Sequence, residues 1–318
     1  MFKLDTLDKK IMYELDLNAR ISASQLAKKV KKSKETISFR INRLIEKNII
    51  KKFYTIFNTS KLNSYYIKFY IKFKNITPNK ETELFDYVGK QNHIAYLASV
   101  EGYYDCMILV MVKNSLDMVK FQDEFMKLYG KFIQEKDLVT FLTTHRLNAR
   151  FIHEGKETKD WYYPIKLENY NLDDIDKKIL SVISTNARTP LVEIAKKLNI
   201  DHKVVKYRLN KLEKDGIILA YVTSFNFDKL DLSFFQINIS LRDPSIRKEI
   251  IQFFNNTNKS LFAIELLGKY DVLVEIHVSG TEELKKILND FRNKFVNKYN
   301  DYDVSTIDKE YIITWSPF

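Results

Sequence analysis

Hydrophobic positions along the chain keep two spacings, helical and alternating, and the pattern they make returns after 168 residues. Leu7, Ile11 and Leu15 share one helical face, Leu26, Ala27 and Val30 a second, and Ile37, Ile41 and Leu44 a third. Ser22 followed by Gln25 predicts a capped start for the second helix, and Ser33 a cap for the third. Asn48 and Gly216 are helix-stop residues. The segments after them, 49–57 and 217–225, carry the β-branched and aromatic content of a wing hairpin. Beyond each wing the order is strand, helix, strand, strand, helix, strand. Strands are expected at 65–74, 94–101, 104–112 and 138–147, with helices near 81–90 and 116–129. The second set is expected at 234–241, 261–267, 270–278 and 304–314, with helices near 246–254 and 282–299. That order predicts an α+β, ferredoxin-like (βαββαβ) domain, its helices on one face of a mostly antiparallel sheet and the other face free for a partner sheet.

The return is residue by residue. Leu7-Asp8-Lys9-Lys10-Ile11 matches Ile175-Asp176-Lys177-Lys178-Ile179, Asn18-Ala19-Arg20 matches Asn186-Ala187-Arg188, and Arg40-Ile41-Asn42 matches Arg208-Leu209-Asn210. Gly102-Tyr103-Tyr104-Asp105 matches Gly268-Lys269-Tyr270-Asp271 at a shift of 166. The chain therefore reads as a tandem duplication. Winged helix-turn-helix domains are expected at 1–60 and 172–228, ferredoxin-like domains at 61–153 and 229–318, and a connector at 154–171. Two such copies should imitate a dimer, related by an approximate twofold axis. In the second copy Thr189-Pro190 predicts a capped helix with Pro in its first turn, and Asp201 caps the helix after it.

Composition then narrows the chemistry. Lone Cys106 permits no intrachain disulfide, which fits a reducing, cytoplasmic setting. The charged stretch Met1 to Lys10 predicts no secretory signal, and no apolar run approaches the roughly 18 residues of a membrane span. The net charge of +11 suits a polyanionic partner where it is concentrated. Residues 1–64 hold 15 Lys+Arg against 6 Asp+Glu, and residues 169–232 hold 11 against 9. The first head thus carries most of the excess. No phosphate-cradling loop occurs among seven glycines, and His93, His145, His153, His202 and His277 lack metal-ligand spacing, so neither a metal nor a cofactor is expected.

A third helix held rigidly with its N-terminal half exposed is the geometry of a major-groove reader. Around it the first copy offers Lys31, Lys32, Lys34, Thr36, Ser38, Phe39, Arg40 and Arg43, with Lys51 and Lys52 on the wing. The second offers Lys203, Lys206, Tyr207 and Arg208, with Leu219 and Ala220 in place of the wing lysines. A solvated helix face is the plain alternative for these positions. Taken in order and twice over, the motifs resemble the leucine-responsive regulator (Lrp/AsnC) family. The resemblance implies double-stranded DNA as partner, no enzymatic activity, pairing through the α+β sheets, further self-association and an amino-acid effector. It also makes Gly102, Asp105, Gly268 and Asp271 effector-site candidates, although a tight turn accounts for the same residues. Two other classes share the fold pattern: an enzyme like sirohaem decarboxylase, for which His93 is the histidine to examine, and a scaffold that keeps its winged helices for packing.

Overall fold

The computed structural model describes residues 3–147 and 161–314; His153 and the first part of the connector lie outside them. The first head is α1 (Thr6–Leu17), α2 (Ala23–Val30), α3 (Lys34–Glu46) and β1 (Ile50–Phe57). Its domain follows as β2 (Tyr65–Phe73), α4 (Pro78–Gly89), β3 (Ile94–Glu101), β4 (Cys106–Val112), α5 (Ser115–Tyr129) and β5 (Ile133–Arg146). A short strand, β6 (Trp161–Pro164), pairs with the end of β5. The second head is α6 (Asp174–Thr185), α7 (Leu191–Leu198), α8 (His202–Lys214) and β7 (Ile218–Phe225). The second domain is β8 (Ser233–Leu241), α9 (Arg247–Asn256), β9 (Ser260–Gly268), β10 (Val272–Val278), α10 (Thr281–Lys294) and β11 (Tyr299–Ile313). The tandem α+β architecture expected from the sequence is present.

Local chemistry accounts for most boundaries. Ser22 and Gln25 form a reciprocal capping box on α2, and Ser33 and Asp201 accept from backbone N–H groups at the starts of α3 and α8. Asn48 and Gly216 take left-handed conformations that end those two helices. The Thr189-Pro190 start is shifted by one residue. Pro190 is itself the N-cap and supplies no side-chain acceptor, while the Thr189 hydroxyl donates to the Asn186 carbonyl. The last helix stops at Lys294 rather than 299, ahead of left-handed Asn297.

The extended segments depart furthest from expectation. Neither head folds its segment into a hairpin. Instead β1 pairs antiparallel with β7, making a two-stranded ribbon shared by the heads. Strands β5 and β11 run longer than expected because each changes partner along its length. The first part of β5 pairs with β2 and its end with β9; β11 pairs first with β8 and then with β3. The two four-stranded sheets therefore join at both edges and close into an eight-stranded barrel. Alternation along each strand sorts the side chains into two shells. Ile67, Phe69 and Ile71 of β2 pack outward under α4 and α5, while Tyr66 and Tyr70 point inward to meet Phe141, Ile264 and Tyr270.

The twofold relation is written in reciprocal hydrogen bonds. The Arg20 guanidinium donates to the carbonyls of Ala187 and Thr189, and that of Arg188 donates to those of Ala19 and Ile21. Thr55 donates to Ile183 O at 2.8 Å and Thr223 to Leu15 O at 2.9 Å. On the axis itself, repeat-equivalent residues meet: Lys68 Nζ donates to Gln236 Oε1 at 2.5 Å, and Tyr70 Oη to Asn238 Oδ1 at 2.8 Å. The heads share one continuous apolar core, so the chain folds as a pseudo-dimer.

Candidate nucleic-acid interface and effector turns

Burial of Ile37, Ile41 and Leu44 turns one stripe of α3 inward, and Val205, Leu209 and Leu212 do the same for α8. The opposite face of α3 presents exposed Lys34 and Phe39 beside Lys31 and Lys32 in the preceding turn, with Thr36 and Ser38 half-buried between them. On α8, Lys203, Lys206 and Tyr207 are exposed. Phe39 and Tyr207 occupy equivalent positions and are 64% and 69% exposed. An aromatic ring at the same outward position in both heads can meet a thymine methyl, which polar side chains read less well.

The arginines are placed differently. Arg40 is ion-paired with Asp5 and with Asp8, the latter at 3.1 Å, and Arg43 forks onto both oxygens of fully buried Asp8 at 2.8 and 2.7 Å. Asp5 and Asp8 also form the capping box of α1. The second head repeats the clamp, with Arg208 paired to Asp173 and to Asp176 at 2.9 Å. Hydrogen bonds from the Asp176 backbone and from Arg208 hold the Asp173 carboxyl below its ordinary range. These arginines fasten the reading helix to the first helix of its head rather than standing free. The wing lysines also face elsewhere. Lys51 lies 3.5 Å from Glu310, and half-buried Lys52 donates to the Ile313 carbonyl, because the ribbon lies against β11.

At the two turns, the glycines serve barrel closure. Gly102 has φ +154°, and a Cβ there would stand 2.8 Å from Val304 O; Gly268 has φ +140°, with Leu138 O at 2.6 Å. Each sits where one copy's sheet meets the other's. Asp105 accepts from the Phe73 backbone N–H at 2.6 Å and Asp271 from that of Leu241 at 2.8 Å. The copies then differ. Asp271 also holds Arg247 at 2.6 Å, whereas the position equivalent to Arg247 is Glu81, and Asp105 borders an open hollow of about 380 Å³ with Glu81, Glu101 and Asp308. Burial, with the nearby Asp105 and Asp308 carboxylates, raises the Glu81 pKa.

A family model described as winged helix-turn-helix DNA-binding matches residues 4–51 and 172–218. The transcriptional regulator LysM of Sulfurisphaera tokodaii is 30% identical over 125 residues, which is 39% of this chain and 86% of that protein. The chain belongs to the Lrp/AsnC family. LrpB of Bacillus subtilis, a further transcriptional regulator, is 28% identical over 139 residues, covering 44% of this chain and 90% of its own. Each such Lrp/AsnC relative is thus the length of one repeat. The whole tandem arrangement is matched by a crystal structure of the siroheme decarboxylase NirDL, with a TM-score of 0.66 at 13% identity over 97% of this chain and 93% of that one. That likeness concerns the fold.

One further site was not legible in the sequence of this Lrp/AsnC chain. The ribbon lies across one end of the barrel and covers a cavity of about 100 Å³ walled by rings including Tyr66, Tyr96 and Phe141. Lys68, Glu275, His277 and Glu310 also line it. Burial pushes the Lys68 ammonium down and the Glu275 and Glu310 carboxyls up. His277 stacks against Phe227 and Phe234, and burial pushes its pKa down to about 3. His93 is not among the lining residues; it meets Phe121 edge-on in the outer shell. The signal that could have pointed to it is a charge interrupting an apolar run, as Lys68 does in Tyr66-Ile67-Lys68-Phe69-Tyr70.

Proposed function

We propose that the chain is a sequence-specific DNA-binding transcriptional regulator that engages an operator with both heads of one polypeptide. The observation that carries the reading is the pairing of exposed Phe39 and Tyr207 on two reading helices whose heads are locked by reciprocal Arg20 and Arg188 contacts. The first head supplies most of the nonspecific grip through Lys31, Lys32 and Lys34, since phosphate neutralisation dominates that term. Binding of the full chain to one genomic fragment and to a shuffled copy of it, across a salt series, tests this. Preference for the genomic fragment supports it, and equal affinity for both overturns it.

An amino-acid effector, if taken at the turns, enters the first copy alone: Asp105 borders open space, while Arg247 already occupies Asp271. Thermal shifts with the common amino acids, compared between the parent and Arg247→Glu, test that asymmetry. The second reading, an enzyme like sirohaem decarboxylase, draws on the whole-chain likeness to NirDL, which was also crystallised with an iron-uroporphyrin III analogue. The cavity wall argues against it here. Uroporphyrin carries many carboxylates, and Glu275 and Glu310 would face them with Lys68 as the one cation among the lining residues.

A further inference from the structure

The covered end of the barrel is an enclosed space, and its wall is selective. Aromatic rings come from the barrel, at Tyr66, Tyr96 and Phe141, and from the ribbon, at Tyr54 and Phe225. The Lys68 ammonium is already engaged, donating to Gln236 and lying 5.1 Å from the centre of the Tyr70 ring. Glu275, in register with Gln236 on the neighbouring strand, faces the same space, as does Glu310, whose lysine partner is at the rim. Tyr96, 93% buried, brings its hydroxyl beside the Glu310 carboxyl in the same wall. An enclosed apolar pocket with a few convergent polar groups is the ordinary form of a small-molecule site, and the modest volume of this one limits the ligand to about one ring. A dry cavity is lined by apolar groups alone, whereas the polar groups in the wall of this one call for a water or a ligand to meet them.

We propose that this cavity binds a small molecule carrying a protonated amine on an apolar body of about one ring, the amine meeting Glu275 and Glu310 and the body lying among the tyrosine and phenylalanine rings. Carboxylates and ring faces both attract a cation. A ligand carboxylate would meet two carboxyls that repel it when charged and one ammonium, that of Lys68, which already donates to Gln236. The site is distinct from the Gly102 and Gly268 turns, and its lid is the ribbon that joins the reading heads, so occupancy acts on the part of the molecule that sets their spacing.

Benzylamine, benzyl alcohol and benzoate share one ring and differ in head charge, which makes them suitable probes for calorimetric titration of the full-length chain. Benzylamine is expected to bind, and benzoate about tenfold more weakly or not at all, the difference one charge-assisted hydrogen bond makes. Glu275→Gln should weaken benzylamine about tenfold while leaving benzyl alcohol unchanged. Thr144→Phe, which fills the cavity from its wall, should abolish both. Hydrogen exchange in the ribbon should slow on adding benzylamine. Benzoate binding as well as benzylamine would overturn the proposal. So would benzylamine binding unaffected by either variant, or no heat from any probe up to about 10 mM, above the roughly millimolar affinity expected for so small a ligand. These readouts use the free protein, so a failure of DNA binding leaves them intact, and their failure leaves the DNA reading intact.

Discussion

Replacing Asp8 with Asn keeps the size of the side chain and removes the charge at the centre of the first head's clamp. Asp8 is fully buried and takes three guanidinium contacts, from Arg40 at 3.1 Å and from Arg43 at 2.8 and 2.7 Å, besides accepting the Asp5 backbone N–H at 3.2 Å. Its loss leaves two arginines facing an amide, and breaking such a buried pair destabilises by about 3 kcal/mol. The matched change, Asp176→Asn, is milder. Arg208 contributes one contact at 2.9 Å, and Lys211, which stands where the first head has Arg43, makes no ion pair with Asp176. Losing a single charge-assisted bond there should destabilise by about 1.5 kcal/mol. Native-state hydrogen exchange over α1, α3, α6 and α8 separates the two heads in one experiment, which a global melt of a multidomain chain does not. Protection should fall more in α1 and α3 for Asp8→Asn than in α6 and α8 for Asp176→Asn. Equal losses, or unchanged protection in α1, would refute the clamp as the reason these arginines face inward.

Four further outcomes follow from the same geometry. Lys31→Ala, Lys32→Ala and Lys34→Ala should each flatten the log–log salt dependence of DNA binding by about 0.9, whereas Arg40→Ala should weaken binding only as far as it unfolds the head and leave the slope alone; a changed slope for Arg40→Ala would return it to the DNA contact set. Gly268→Ala should destabilise by about 3 kcal/mol, since a Cβ would stand 2.6 Å from Leu138 O at a strained φ, and a urea midpoint matching the parent would contradict the seam argument. The pKa of His277 is pushed down from 6.5 to about 3 by burial, then by Arg146, so the unfolded chain takes up a proton between those values that the folded one does not. Stability is therefore lost as pH falls through that window, by up to about 1.4 kcal/mol per pH unit, and His277→Phe should flatten the slope in pH-dependent denaturation.

Periodicity and capping chemistry located the helices because those signals are local: Ile37, Ile41 and Leu44 mark a buried stripe whatever else the chain does. The ribbon was legible as extended backbone but not as a ribbon. Its partner strand lies 168 residues away, and β-branched content does not name a partner. Barrel closure was hidden for a related reason. Gly102 and Gly268 looked like turn residues, and their second duty shows only when Val304 and Leu138 are brought beside them. The arginines' ion pairs were hidden because a positive charge on a reading helix has the same appearance in sequence whether it meets phosphate or Asp8. Lys68, Glu275 and Glu310 escaped because their meeting depends on three strands drawn from both copies.

The axis contacts have a consequence for how such a molecule can change. In an assembly of two identical chains, whatever lies on the symmetry axis must face itself, so a lysine at position 68 would oppose a lysine. Two like charges about 4 Å apart repel by about 4 kcal/mol in a partly screened setting, and every substitution there arrives in duplicate. Once both halves are encoded in one polypeptide, each side of the axis mutates alone. Lys68 opposite Gln236 and Tyr70 opposite Asn238 are pairs that an ordinary homodimer has no means of writing. Fusion thus opens the centre of the barrel, the place symmetry guards most strictly, to unequal and separately adjustable chemistry.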